Sequence, residues 1–281
     1  MTNSNGFNFN FEFENGKVLT INRKKAEHML ERNTNNRPVN QARVDQIARD
    51  MISGDWVFNG QSVTFDTDGV QMDKQHTLLG VVKSGVTIKM PVFYNVDKRA
   101  KRTIDTGRGR TFSDNLGING ELHSRTLGSA VKFLYLWKHG KTLNNTSGGK
   151  IPSMAEMYEV LGENPKIRKG VDSIMTRHKG VRLYGSNALF STLYYLFSKK
   201  DHDSAELFFE YFGSGDGLGV ANPIFSLREK LTKERLNNTH TRVGSWWVGA
   251  MTIKAWNAMR TSSTCKGLRF NPVKEDYPRI K

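Results

Sequence analysis

The pattern of apolar residues changes near residue 113, and this change limits the folds open to the chain more than any other feature. Before it, short runs typical of strands alternate with helical runs such as Gln75–Ser84. After it, successive segments repeat apolar residues at helical spacing. A length of 281 residues leaves room for two domains. We therefore predict an α+β domain over residues 1–112 and an all-α domain over residues 113–281.

Individual elements follow from the local pattern. Four phenylalanines alternate with polar residues over Phe7–Phe13, which predicts a half-buried strand that pairs with Val18–Ile21 after the Asn15–Gly16 turn. In the first domain we predict helices over 22–32, 40–54 and 75–84, and strands over 61–65, 70–72 and 88–96. In the second we predict a helix from near Ser113, a long helix through Leu127–Leu136 that ends near Gly140, a loop over 141–150, and helices over 154–161, 167–178, 186–197, 205–212, 223–236 and 244–260.

The charge of the chain indicates a polyanionic partner. Lysine and arginine number 42 against 27 acidic residues, a formal net charge of +15. Such an excess favours nucleic acid, most simply DNA, although basic residues can also serve only to keep a surface solvated. An anionic membrane is a weaker alternative, because the sequence contains no apolar stretch of spanning length and no evident basic amphipathic helix. We expect no membrane partner.

Cysteine usage and the amino terminus point to the cytoplasm. Cys265 is the single cysteine, which excludes an internal disulfide framework and a cysteine-based zinc cluster. The first residues lack the basic and apolar regions of a secretion signal. Histidines elsewhere lack the spacing of a metal motif, and Asp66 and Asp68 are better explained as turn residues than as Mg²⁺ ligands.

The segment Gly69–Gly85 holds the most informative group of polar residues. A short strand ends at Asp73, and Lys74, Gln75, His76 and Thr77 open the next helix. The N–H groups and the positive dipole end at a helix start favour an anion. Lys74 could add a phosphate contact, and His76 could act as a general acid or base. The simpler interpretation is an ordinary capped helix with Asp73 as its N-cap.

A second candidate is the basic segment Asp97–Arg110. It carries six cations, at Lys98, Arg99, Lys101, Arg102, Arg108 and Arg110, against the acids Asp97 and Asp105. Its end, Thr106-Gly107-Arg108-Gly109-Arg110, is a glycine-spaced basic loop. Backbone N–H groups and guanidinium groups together suit phosphate oxygens. A solvated loop with no ligand explains the same residues equally well.

Several of these motifs occur in an order that resembles a known family. Arg37-Pro38 precedes a helix, Gly54-Asp55-Trp56 follows it, and Asp73–Leu78 has the form Asp-x-Gln-His-x-Leu between a strand and a helix. The order is similar to the ParB/sulfiredoxin superfamily, and most similar to its phage and bacterial ParB-like branch with an Asp-Gly-Gln-His-Arg-Leu signature. The resemblance covers roughly residues 15–112, and it extends into the helical half at Ile253–Ala258.

The resemblance implies a fold in which a strand-to-helix turn holds phosphates. Members of the superfamily include CTP-dependent DNA-partition clamps, ATP-using sulfinic acid reductases, a free-serine kinase and proteins described as nucleases. For this chain it implies ATP or CTP with Mg²⁺ as the cofactor, and the host cytoplasm as the location if the chain is phage-encoded. We expect the turn at Asp73–Thr77 and the loop at Thr106–Arg110 to form one phosphate-binding cleft. The residues expected to hold phosphate are Lys74, Gln75, Thr77, Thr106, Gly107, Arg108 and Arg110, and the expected catalytic residues are Asp73 and His76.

Two positions depart from the signature. Lys74 stands where the family has glycine, and Thr77 stands where it has arginine. Glycine lets the backbone approach a phosphate closely, and arginine binds phosphate with two parallel hydrogen bonds. We therefore expect a DNA-associated protein that binds nucleic-acid or nucleotide phosphates, as a nuclease or NTPase if it is catalytic. The alternatives are a non-catalytic binding or regulatory module with a degenerate site, and a small-molecule or DNA-base kinase.

Overall fold

The chain divides into two compact units, Met1–Gly109 and Arg110–Lys281. The structure is a computed structural model that describes residues 16–104, 109–139, 151–237, 244–262, 267–271 and 273–281. The strand predicted at Phe7–Phe13 and the loop predicted over 141–150 lie outside the described residues. Helices dominate the described part of the chain, and a small sheet of three strands accompanies them, which confirms a mixed fold of helices and strands.

The first unit contains all three strands. Its elements are β1 (Val18–Ile21), α1 (Arg23–Leu30), α2 (Gln41–Ile52), β2 (Val63–Asp66), α3 (Gln75–Ser84) and β3 (Ile88–Val96), followed by a short 3₁₀ helix over Lys98–Arg102. The order in the sheet is β1-β3-β2, with β1 antiparallel and β2 parallel to β3. Two parallel strands need a crossover connection, and α3 provides it between β2 and β3.

The core of this unit lies between the sheet and the three helices. Alternate residues of β3, Ile88, Met90 and Val92, are buried together with Leu78 and Val81 of α3. Phe93, which points to the other face of the sheet, is 39% exposed. The sheet therefore buries one face under helices, and this arrangement fixes the position of α3 relative to the end of β2.

One predicted strand is reduced to a single bridge. The chain turns after β2, and Gln71 pairs with Phe65 as an isolated antiparallel bridge. Asp66 N donates to Val70 O, and Met72 N donates to Thr64 O. Gln71 N donates instead to the carbonyl of Arg32, outside the sheet, at 2.9 Å. The prediction of a strand over 70–72 is therefore wrong in extent, because a segment distant in sequence takes one of its hydrogen bonds.

The second unit contains helices and no strand in the part of it that the structure describes. They are α4 (Phe112–Ile118), α5 (Ser124–Lys138), α6 (Met154–Glu163), α7 (Ile167–Thr176), α8 (Asn187–Ser198), α9 (His202–Ser214), α10 (Pro223–Asn237) and α11 (Ser245–Arg260), with a 3₁₀ helix over Lys179–Leu183. An aromatic cluster forms the centre of the unit, where Trp256 is fully buried and stacks on Phe197 with ring centroids 4.3 Å apart.

Helices α2 and α3 approach each other closely at Gly80. A Cβ atom at Gly80 would lie 2.6 Å from Cγ2 of Ile47, whose branched side chain is fully buried in α2. We expect Gly80→Ala to lower the free energy of unfolding by about 1–3 kcal/mol through overpacking. Denaturant titration of the full chain measures this change.

The matched control is Gly162→Ala in α6, where a Cβ would meet nothing within 4 Å. Alanine is favoured over glycine inside a helix, so this variant should be unchanged or more stable by up to about 1 kcal/mol. An equal midpoint for the unfolding of the first unit in Gly80→Ala and in the unmodified chain would contradict the close packing of α2 on α3.

Candidate functional site

The turn that follows β2 is shaped by an aspartate. Asp66 Oδ1 accepts hydrogen bonds from the backbone N–H groups of Asp68 and Val70, both at 2.9 Å. The carboxylate of Asp68 forms an ion pair with Lys98. Both acids therefore act in the turn and in its contact with the basic 3₁₀ helix. This is the arrangement expected of turn residues.

Asp73 connects the start of α3 to the sheet. Its Oδ1 accepts a hydrogen bond from the backbone N–H of Thr64 in β2 at 3.0 Å, and its Oδ2 lies 3.8 Å from Nζ of Lys74. The N-cap position of α3 belongs to Lys74, and no side chain caps the helix there. The alternative interpretation of Asp73 as the N-cap is therefore wrong. Without a cap, the first N–H groups of α3 have no partner within the helix.

Lys74 has the backbone conformation that usually favours glycine. Its φ of 61° and ψ of 19° are left-handed. An L-residue in this region is strained by roughly 1–2 kcal/mol, whereas glycine is not. The position at which the resembled signature has glycine therefore keeps the geometry of glycine while carrying a cationic side chain.

Gln75 holds a distant segment of the chain against α3. Its Nε2 donates to the carbonyl of Arg37 at 2.8 Å, and its Oε1 accepts from Nδ2 of Asn33 at 3.0 Å. The side chain is 4% exposed. We call residues 32–40 the bridging segment, because they join α1 to α2 and pass over the start of α3. Both ends of the Gln75 amide are used in this contact.

His76 also contacts the bridging segment. Its Nε2 accepts a hydrogen bond from the backbone N–H of Asn40 at 3.0 Å. Burial lowers the pKa of His76 below its ordinary value of 6.5, and the charges of Arg37 and Arg43 lower it further. The imidazole is therefore neutral at neutral pH, and Nε2 is the unprotonated nitrogen.

The structure gives fewer contacts for the other predicted site residues. Thr77 is buried in α3. Arg110 is exposed and begins the second unit. Thr106, Gly107 and Arg108 lie outside the described residues. The prediction that the glycine-spaced loop and the turn at 73–77 form one cleft stays a prediction.

The structure adds cations that the sequence did not assign to the site. Arg37 and Arg43 are both exposed, and they lie close enough to His76 to lower its pKa. Lys101 of the basic 3₁₀ helix donates to the backbone carbonyl of Asn35. The bridging segment thus brings one end of the basic segment 97–110 towards the start of α3. In the sequence, this segment is marked only by Arg37-Pro38, one of the motifs that carry the family resemblance.

Comparison with known protein families, curated proteins and solved structures finds no match in any of the three. Among the described helices, none is both long enough and apolar enough to cross a bilayer. No group of three or more histidine, cysteine, aspartate or glutamate side chains in the described ranges is arranged to hold a metal ion.

A second polar cluster lies in the helical unit, and sequence reasoning missed it. The carboxylate of Glu206 accepts hydrogen bonds from Tyr194, from Arg177 Nη2 at 2.8 Å and from His178 Nε2 at 3.0 Å. Burial alone would raise the pKa of Glu206, but these hydrogen bonds and the charge of Arg177 outweigh burial and lower it. The cluster borders a cavity of about 330 Å³ that is also lined by Phe209. Its residues come from three separate helical segments, so no spacing motif marks them.

Two substitutions at Lys74 separate the effect of its strained backbone from the effect of its side-chain charge. Lys74→Gly and Lys74→Ala remove the same charge, but only glycine relaxes the left-handed conformation. We expect the glycine variant to be more stable than the alanine variant by about 1 kcal/mol. Thermal and denaturant unfolding of both variants measure the difference, and an alanine variant of equal or greater stability would rule out the assigned conformation.

The lowered pKa of His76 predicts acid sensitivity. Below pH 6.5, the ordinary value for histidine, the unfolded chain binds a proton at this residue that the folded chain resists. The free energy of unfolding therefore falls as the pH drops through and below this value. We expect His76→Gln to show a weaker decline between about pH 7.5 and pH 5.5 in thermal melts.

The control for this experiment is His202→Gln at the exposed start of α9. It should decline with pH as the unmodified chain does. An unchanged pH dependence in His76→Gln would show that His76 does not carry the effect.

Proposed function

We propose that the protein binds nucleic acid, most simply DNA, through contacts with phosphate groups at the start of α3. The observation that supports this most directly is the convergence of Arg37, Arg43 and Lys101 around an uncapped helix N-terminus. An anion at a helix start gains from the N–H groups and from the helix dipole, and nearby guanidinium groups add charge-assisted hydrogen bonds.

The geometry favours binding over catalysis. A general acid or base must have a nitrogen or oxygen available to the reacting group. Nε2 of His76 accepts from Asn40 and Oδ1 of Asp73 accepts from Thr64, so one polar atom of each group is used in the fold. These contacts support the alternative in which the chain is a binding module with an altered nucleotide site.

The residues present fit a nucleotide cofactor poorly. The resemblance assigns Gln75 and Thr77 to ATP or CTP, yet the amide of Gln75 is used in the fold and Thr77 is buried. Lys74 brings a cation to the turn, but its Nζ lies 3.8 Å from Oδ2 of Asp73 and so faces a carboxylate. Membership of the ParB/sulfiredoxin superfamily, and a nucleotide with Mg²⁺, therefore stay predictions that the proposed function does not require.

Removal of the two arginines tests the proposal. We expect Arg37→Gln with Arg43→Gln to weaken binding to a labelled DNA duplex by at least about fivefold and to reduce the slope of log K against log[salt] by about 2 units. Fluorescence anisotropy between about 50 and 200 mM salt measures both quantities.

The matched control is Lys17→Gln with Lys89→Gln, which removes two exposed cations from the sheet side of the same unit. It should keep nearly all of the affinity. Titration with ATP and CTP, with and without Mg²⁺, separates the alternatives. Equal duplex affinity in the arginine variant and the unmodified chain would refute the proposed function, and saturable heats with a nucleotide would favour an NTPase or kinase instead.

A further inference from the structure

The helical unit carries a group of exposed cations on a short turn. The 3₁₀ helix Lys179–Leu183 exposes Lys179 and Arg182. Residues three apart in a 3₁₀ helix lie on the same face, so both side chains leave the turn on one side. Arg235 of α10 donates to the carbonyl of Leu183, which brings a third cation to the end of the turn. We call these three residues the basic turn.

The basic turn is held firmly by the core beneath it. Val181 at its centre is fully buried. A Cβ at Gly180 would lie 2.4 Å from the carbonyl oxygen of Gly213, so the turn and α9 pack backbone against backbone. Tyr184, directly after the turn, stacks on Phe212 with ring centroids 5.1 Å apart. Binding a partner here would therefore order little additional backbone, which lowers the entropic cost of association.

The cations of the basic turn differ in their ion pairing from several others in this unit. Among the described residues, six lysines and arginines elsewhere in the unit form ion pairs: Lys138 with Glu163, Arg168 with Glu121, Arg177 with Glu206, Lys230 with Glu234, Lys254 with Glu275 and Arg260 with Asp201. Within the described residues, no ion pair involves Lys179, Arg182 or Arg235. Their positive charge is therefore left for an external anion.

We propose that the basic turn is a second contact for the phosphate backbone of duplex DNA. The inference rests on the proposed function and extends it to the helical unit. Phosphates recur regularly along a duplex, so two cations on one face of a rigid turn can neutralise neighbouring charges. Contacts of this kind carry no sequence information. An anionic bilayer fits less well, because the turn offers no broad apolar face to insert, only the exposed side chain of Leu183 beside its charges.

The test replaces Lys179 and Arg182, the two exposed cations on one face of the turn, in the full chain. We expect Lys179→Gln with Arg182→Gln to weaken binding to a labelled duplex by at least about fivefold and to reduce the salt slope by about 2 units. Lys179→Arg with Arg182→Lys keeps both charges and should keep the affinity. The control is Lys166→Gln with Lys169→Gln, which removes two exposed cations near the start of α7, the helix whose last residue, Thr176, precedes the turn. Lys169 lies seven residues before that end, an axial rise of about 10 Å.

The outcomes distinguish this inference from the proposed function. Weaker duplex binding by the glutamine variant of the basic turn, with the α7 control unchanged, supports the inference. If only the Arg37 and Arg43 variant weakens binding, the inference fails and the proposed function stands. If only the basic-turn variant weakens binding, the proposed function fails. A basic-turn variant that loses binding to phosphatidylserine vesicles but not to the duplex would overturn the inference in favour of a membrane.

Discussion

The contact between the bridging segment and the start of α3 is the interaction on which the candidate site depends. Amide and backbone groups of residues 32–40 exchange hydrogen bonds with Gln71, Gln75 and His76. Gln71, Gln75 and His76 are buried, and a buried polar group that lost its partner would cost about 1–3 kcal/mol. The contact therefore fixes the segment tightly, and with it the positions of Arg37 and Lys101.

This arrangement changes what the polar residues at the start of α3 can do. Gln75 and His76 have the residue types expected of a nucleotide site, yet both hold the fold together. The charge that remains for a ligand comes from exposed arginines and lysines around them. Under the proposed function, these cations bind anionic oxygens through their charge. Affinity should consequently depend on salt, with little dependence on base sequence.

Periodicity predicted the regular elements of both units well. The bounds predicted for α3 and β3 agree with the structure. Helical spacing and Gly85 define the end of α3, and a buried apolar run defines β3. The strand over 70–72 was overextended because a contact from Arg32 takes its hydrogen bond. The Glu206 cluster was missed because its members meet only after helices pack. Long-range contacts of this type leave no local pattern in a sequence.

The buried side chains of the two units fall into separate clusters. In the first unit, apolar residues of the sheet and three helices pack together, whereas the second unit encloses its own aromatic cluster around Trp256. A domain with its own core can melt cooperatively by itself. Heat denaturation of the full chain should then be analysed as the sum of two calorimetric transitions, so a single midpoint would conceal which half a substitution had weakened.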